Sequence, residues 1–412
     1  MSEPGPKLAA MVRSGDAQTE AVEITPFVFM ANDISNAYLV TTSDGDVVIN
    51  TGMPDGAERS VSLFAPHRTG PLRYIVLTQS HADHFGGVPD FREDGTKVVG
   101  GPGFNEALAD MMGLQAFFGP RTFKLWGTTL KRDTPPKPVP HVAPDILVDR
   151  RLTLEVGNRT FELISAPEGE TVDNILVWMP EEKIVFTGNT FGPVWLSMPF
   201  LNTLRGDKPR LVRNYLKALD TVRSLGAEIV ITGHGEPIVG ANRIRADLDR
   251  MEAAVAYVRD YTLDGMKAGR TVDELVGSFA WPEGMAIGEF HGKASWAVKS
   301  IWREYSGWFH YEDGTTALYG VPRSSVDADL AELAGANALV ARARAHLDAG
   351  RPLEALHLVA IVLGADAGNR AAWAVKRDAS QALLAASGGS NLSETMWLRS
   401  EIAEAEGKLG EG

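Results

Sequence analysis

The sequence predicts a layered α/β domain of mixed strands and helices, followed by an all-α helical domain. Three observations predict it. Runs rich in β-formers alternate with Gly- and Asp-rich turns from Val22 to Thr232. Helical periodicity falls between some of those runs, and mixed elements of this kind pack in layers. After Pro237 the runs give way to long helical stretches.

The strand candidates, in order, are residues 27–30, 36–42 and 46–50, the last two separated by the turn Ser43-Asp44-Gly45. Then come 73–78, 97–99, 152–156, 160–165, 175–179, 183–187 and 228–232. Residues 207–225 place Leu211, Tyr215, Leu219 and Val222 on one face and predict a helix. Residues 122–144, rich in Pro and Lys, read as a long loop, either a lid over a pocket or a surface excursion. Past Pro237, helices are expected at 242–267, 271–279 and 293–305. From Ser324 the chain is rich in Ala and Leu, with helices expected at 328–349, 352–363, 370–386 and 393–409. Such stacked helices are similar to tetratricopeptide-like arrays, which serve assembly more often than chemistry. The expected organisation is a loose N-terminal arm (1–20), an α/β catalytic domain (21–245), a helical extension closing its pocket (246–323) and a helical C-terminal domain (324–412).

Composition removes several classes of function. The 412 residues exceed one typical core, and 44% hydrophobic with 23% charged residues is globular rather than disordered. With 53 acidic against 40 basic residues, the net charge of −13 repels polyanions, so neither nucleic acid nor an anionic membrane is an expected partner. The absence of cysteine rules out disulfides, thiolate nucleophiles and sulfur metal ligands. No secretory apolar stretch opens the sequence and no run of about 18 apolar residues occurs. A cytoplasmic protein is therefore the expectation.

The chemistry collects at strand ends. Residues 73–78 run into Gln79-Ser80-His81-Ala82-Asp83-His84, and 160–165 lead to Glu168-Gly169-Glu170. Residues 183–187 end at Gly188-Asn189, and 228–232 at Gly233-His234. The C-terminal ends of strands border the crevice where α/β sheets bind ligands. An isolated His-x-Asp-His reads equally as a polar turn with Asp83 capping a helix. The other three strand ends, which deliver Glu170, Asn189 and His234, shift the reading to a metal pocket of imidazole, carboxylate and amide groups. Gly86-Gly87 mark either the turn itself or the approach of the helix beyond it.

These motifs, in this order, resemble the metallo-β-lactamase superfamily, whose signature is HxHxDH, GHT, GD and GH. The match is closest to its alkylsulfatase branch, which reads THSHADHFGG where residues 78–87 read TQSHADHFGG. The branch carries Glu at the second motif, ten residues before a Pro, as Glu170 stands before Pro180. It also has the segment found here as Thr203-Leu204-Arg205-Gly206, and a Tyr-x-Gly-Trp found here as Tyr305-Ser306-Gly307-Trp308. The helical tail, including Asn391-Leu392-Ser393-Glu394, is similar to the branch's dimerisation domain. The resemblance implies the αββα sandwich of that superfamily followed by a helical, tetratricopeptide-like dimerisation domain. It further implies a first metal position of Gln79, His81 and Glu170, and a second of Asp83, His84 and His234.

Four departures stand out. Gln79 replaces the first His of the signature, and Gly188 replaces a metal-bridging Glu. Trp296 follows Ser295 where the branch has His. The sequence stops before the branch's lipid-carrier-like C-terminal domain. Gln is a weak neutral donor, and without the bridging carboxylate two cations are poorly held together. One tight metal is expected, the other position being weak or empty. Zinc is the implied metal, and iron or manganese also suit nitrogen and oxygen ligands.

The expected function is a metal-dependent hydrolase of an amphipathic or aromatic small molecule: a sulfate ester, an ester or an activated aryl ether. Asp83 would orient the attacking water. Arg205 would bind an anionic or nitro-type oxygen, or serve only as a surface ion pair. Trp296 would stack on an apolar substrate. Phe117, Phe118, Phe191, Trp195 and Phe200 either line the same pocket or belong to the core. Two alternatives remain: a lactonase or β-lactamase-like hydrolase, against which Glu170 counts, and a degenerate half-site subunit. The helical domain would then form homo-oligomers, or hetero-oligomers with a paralogous subunit. His291 and His310 are weak further candidates; His67, His141, His346 and His357 read as ordinary surface or core residues.

Overall fold

The structure is a computed structural model that describes residues 15, 17–127 and 135–410. Most of the expected N-terminal arm lies outside the described residues. Two compact units divide the chain: residues 1–119 with 132–304, and residues 120–131 with 305–412. This division differs from boundaries at 245 and 323. The long helix Ala241–Lys267 buries Ile244, Leu248, Met251, Val255 and Val258 in the core of the first unit, so no boundary falls before it.

In the first unit, a seven-stranded sheet follows chain order: β1 (Val22–Thr25), β2 (Val28–Ala31), β3 (Ala37–Thr42), β4 (Gly45–Ile49), β5 (Leu72–Val76), β6 (Lys97–Gly100) and β7 (Ile146–Leu147). A six-stranded sheet holds β8 (Arg151–Val156), β9 (Arg159–Ser165), β10 (Ile175–Met179), β11 (Ile184–Gly188), β12 (Ile229–Thr232) and β13 (Ile238–Val239). Strands β1 to β4 pair antiparallel, as do β8 to β11 and β12 with β13, whereas β4 to β7 pair in parallel, as do β11 and β12.

The apolar runs explain the layering. In β10, Ile175, Val177 and Met179 enter one cluster with Val40, Ile49 and Val76 of the other sheet, while Leu176 and Trp178 face helices Val212–Leu225 and Ala241–Lys267. The strand is buried on both faces, which is why its sequence is continuously apolar instead of alternating. The seven-stranded sheet likewise presents Leu39, Val48 and Ile75 to helix Ala57–Phe64 and its neighbours. The result is an αββα sandwich.

Local chemistry moved several boundaries. The helix expected from 207 starts at Val212. Pro209 lacks an N–H and disfavours helix at Lys208, and Leu211 is still extended (φ −91°, ψ 128°). Part of the segment read as a loop, 122–144, is helical: Gln115–Trp126 is one helix with Pro120 inside it. Residues 128–134 of that segment lie outside the described residues.

The second unit contains helices Asp327–Ala334, Ala336–Asp348, Pro352–Ala365, Arg370–Ser387 and Leu392–Leu409, most of them packed against the next. The helix expected over 328–349 is broken at Gly335, whose φ of 79° no helix accommodates. Lys124 joins this unit through ion pairs to Glu401 and Glu404 and by lying 4.7 Å over the Trp397 ring. No helix among the described residues is long and apolar enough to cross a membrane.

Candidate metal centre

Both sheets deliver the site at the C-terminal ends of their parallel strands. Beyond β5 the chain turns at His81 (φ −78°, ψ 138°) into the single helical turn Ala82–Phe85. Asp83 lies inside that turn and does not cap it; His81 occupies the cap position. The turn is pressed onto its neighbours. A Cβ on Gly86 would lie 2.4 Å from Pro54 Cδ, and one on Gly87 would lie 2.4 Å from the Thr51 carbonyl oxygen. Neither glycine has positive φ, so their role is close approach. From the other sheet, β11 delivers Asn189 and β12 delivers His234, joined by the Gly233 N–H donating to the Gly188 carbonyl at 2.8 Å.

Asp83, His84 and His234 converge, their ligand atoms all within 4.8 Å of one another. Asp83 Oδ2 lies 3.7 Å from His84 Nε2 and 3.8 Å from His234 Nε2. The tautomers follow from the second nitrogen of each ring. The Ser35 hydroxyl donates to the Gly233 carbonyl, so its oxygen accepts from His84 Nδ1–H at 3.1 Å. His234 Nδ1 donates to the Ile34 carbonyl. Both Nε2 atoms are therefore left as bare lone pairs, the state a metal ligand requires. Burial pushes the His84 imidazole down to about 3 and also lowers that of His234, against the pull of Asp83. Burial alone would raise the Asp83 carboxyl, but the facing imidazoles outweigh it and hold it below its ordinary value. The buried His84 Nε2 and Asn189 Oδ1 have no hydrogen-bond partner. A Cβ on Gly233 would meet Asn189 Oδ1 at 2.4 Å and His84 Cε1 at 2.6 Å, so only glycine admits this packing. Two bare imidazoles, a carboxylate and an unpartnered amide oxygen fit a divalent cation.

The residues carried to a first metal position are also brought together, but they are engaged with one another. Gln79 Oε1 accepts the Asn189 backbone N–H at 3.0 Å, which turns its Nε2 toward His81 Nδ1 at 2.7 Å. His81 Nε2 then donates to Asp207 Oδ2 at 3.1 Å. Glu170 Oε1 lies 3.0 Å from Arg210 Nη2 and 3.9 Å from His81 Nδ1. Arg210 and Glu170 side chains are only 7% and 8% exposed. Burial raises the Glu170 carboxyl, with Arg210 opposing; burial would raise Asp207 too, but His81, Arg210 and Arg205 hold it well below its ordinary value. At Gly188 (φ 54°) a Cβ would stand 2.5 Å from Thr78 Oγ1 and 3.0 Å from Gln79 Oε1, leaving no room for a carboxylate. This half does not fit a cation as it stands.

Around the site, Arg205 is partly exposed and pairs with Asp207 at 3.3 Å. Phe200 packs on His291 (ring centroids 4.6 Å apart) and on Trp296 (5.7 Å), so its ring lies in contact with both. Desolvation pushes the half-buried His291 imidazole down to about 3, and Arg210, His234 and Arg205 add to that effect. Phe191 is core, and Trp195 packs against it while donating to Asp247 at 2.7 Å. Phe117 and Phe118 lie against Gly206. Sequence reasoning missed Asp207 and Arg210, which it assigned to the first turn of a helix. The Pro209 between them was the available signal against that assignment.

Residues 31–234 match the metallo-beta-lactamase superfamily, and residues 271–401 match the alkyl sulfatase dimerisation family. Among curated proteins, the chain is 27% identical over 297 residues to a linear primary-alkylsulfatase of Pseudomonas sp., covering 66% of this chain and 56% of that protein. It is 24% identical over 383 residues to the alkyl/aryl-sulfatase BDS1 of Saccharomyces cerevisiae, covering 85% and 58%. An (R)-specific secondary-alkylsulfatase of Pseudomonas sp. matches at 24% over 406 residues, covering 88% and 59%. The chain thus spans little more than half the length of these relatives. A stereoselective inverting sec-alkylsulfatase from Pseudomonas sp. shares the fold with a TM-score of 0.84 at 22% identity, covering 94% of this chain and 66% of that one.

Proposed function

This chain carries a metallo-beta-lactamase superfamily domain of alkylsulfatase-like type joined to an alkyl sulfatase dimerisation domain, and on that premise we propose that it is a metal-dependent hydrolase working with one cation. The observation that carries the reading is the convergence of Asp83, His84 and His234, with both Nε2 lone pairs bare. Asn189 Oδ1 completes the donor set. A cation held there supplies Lewis acidity, which makes water a nucleophile near neutral pH. Zinc is the first choice, with iron or manganese compatible with the same donors.

The chain's own groups do the rest. The ionised Asp83 carboxylate accepts a hydrogen bond from the attacking water and orients it. Arg205 presents its planar donors to an anionic or nitro-type oxygen of the substrate, with one nitrogen tied to Asp207. Trp296 offers an apolar plate where a proton-donating imidazole would assist a poor leaving group. The substrate class is accordingly an amphipathic or aromatic molecule whose leaving oxygen departs without protonation: a sulfate ester, an activated ester or an electron-poor aryl ether. The helical domain pairs two copies of the chain.

Elemental analysis of the purified protein, followed by a panel of alkyl sulfates, lactones and nitroaryl ethers, tests this. His84→Ala is expected to lose both the cation and turnover. Turnover retained in that variant, or no transition metal in the wild-type protein, defeats the proposal.

A further inference from the structure

We propose that Arg210 is a built-in replacement for a second cation: its guanidinium takes the electrostatic place a first-position metal would hold, and so fixes the site at one metal per chain. The inference deepens the reading above and rests on it only for the identity of the open position.

The argument is an inventory of lone pairs. At the open position the buried His84 Nε2 and Asn189 Oδ1 have no hydrogen-bond partner, and His234 Nε2 faces the Asp83 carboxylate. At the closed one, Gln79, both His81 nitrogens and one Glu170 oxygen are engaged. Gln79 oxygen takes a backbone N–H, His81 Nδ1 takes the Gln79 amide, and His81 Nε2 carries the proton given to Asp207. Glu170 Oε1 takes Arg210. The charges also close. Two carboxylates, Glu170 and Asp207, face two guanidiniums, Arg210 and Arg205, so the cluster is neutral without a metal. Arg210 cannot swing away cheaply. It is buried, and its Nη1 donates to the Phe200 carbonyl at 2.7 Å. A divalent ion on Glu170 would sit within a few ångströms of a buried, permanently charged group.

Restoring the missing imidazole is therefore insufficient, because the guanidinium is the larger obstacle. The test measures zinc equivalents per folded chain, after zinc loading and removal of excess, for wild type, Gln79→His, Arg210→Met and the double variant. Wild type and Gln79→His are expected to hold one equivalent, and the double variant two. Arg210→Met is expected to melt lower than wild type in chelator and to gain more melting temperature from zinc than wild type does. Two equivalents in Gln79→His alone would overturn the proposal, as would a folded double variant that stays at one. If the double variant does not fold, the Gln79→His stoichiometry still decides. Wild type holding no zinc would instead defeat the function proposed above, so the two failures are separable.

Discussion

Removing the Arg210 guanidinium, as in Arg210→Met, should cost far more than an ordinary ion pair. The pair with Glu170 is 3.0 Å long and nearly excluded from water. Breaking one side of such a pair leaves an uncompensated buried charge, which costs about 3–5 kcal/mol. A single pair at that separation and an effective dielectric near 20 is worth about 5 kcal/mol, in agreement. Set against a total stability of about 5–15 kcal/mol, the loss is large. It should appear as a fall of about 1.5 M in the urea midpoint of the first unit at pH 8, measured with chelator present to remove any metal contribution. The loss should also depend on pH. Burial already raises the Glu170 carboxyl, and Arg210 is the main group opposing it. Without Arg210 the folded-state value rises further above the unfolded one, so stability is lost as pH climbs through the raised value and recovered below it. The deficit should therefore be largest at pH 8 and shrink as the pH falls and Glu170 takes up a proton. A midpoint within about 0.3 M of wild type, or a deficit that does not shrink as the pH falls, would refute the burial argument.

Other changes have equally definite outcomes. Ser35→Ala removes the acceptor that sets the His84 tautomer and should weaken zinc binding about 10–100-fold by competition with a chelating dye, with little loss of fold. Gly233→Ala forces a methyl against Asn189 and His84 and should lower zinc affinity by at least about tenfold in the same assay. In the second unit, Asn369→Ala removes the side-chain cap on the Ala372 N–H and should cost about 1 kcal/mol by denaturant titration while leaving metal content unchanged.

How much of this was readable in advance follows the period of each signal. Strands such as Ile175–Met179 were legible to the residue, because burial on both faces leaves an unbroken apolar run between polar turns. The convergence of Asp83, His84 and His234 was legible because strand ends deliver side chains to one crevice. The closure of the other half was not. Gln79 could be seen as a weak donor, but Asp207, which engages its neighbour His81, lies 126 positions from that histidine, and Arg210 further still. A guanidinium filling a cation's role has no sequence period at all. Only Pro209, sitting where a helix was expected, hinted that residues 207–211 do something else. Short helices such as Ala57–Phe64 escaped notice because one buried stripe over two turns resembles a turn between strands.

The loop between β2 and β3 has a wider consequence. Adjacent residues, Ile34 and Ser35, each anchor one of the two imidazoles, although those imidazoles come from opposite sheets. The histidines thus share a common mount and cannot drift independently. Lengthening or shortening that hairpin by one residue would misalign both rings in a single step, so insertions there should be as damaging as loss of a histidine. Conversely, a designer wishing to retune this centre could adjust both rings together by editing five consecutive positions, 32–36, without touching a ligand.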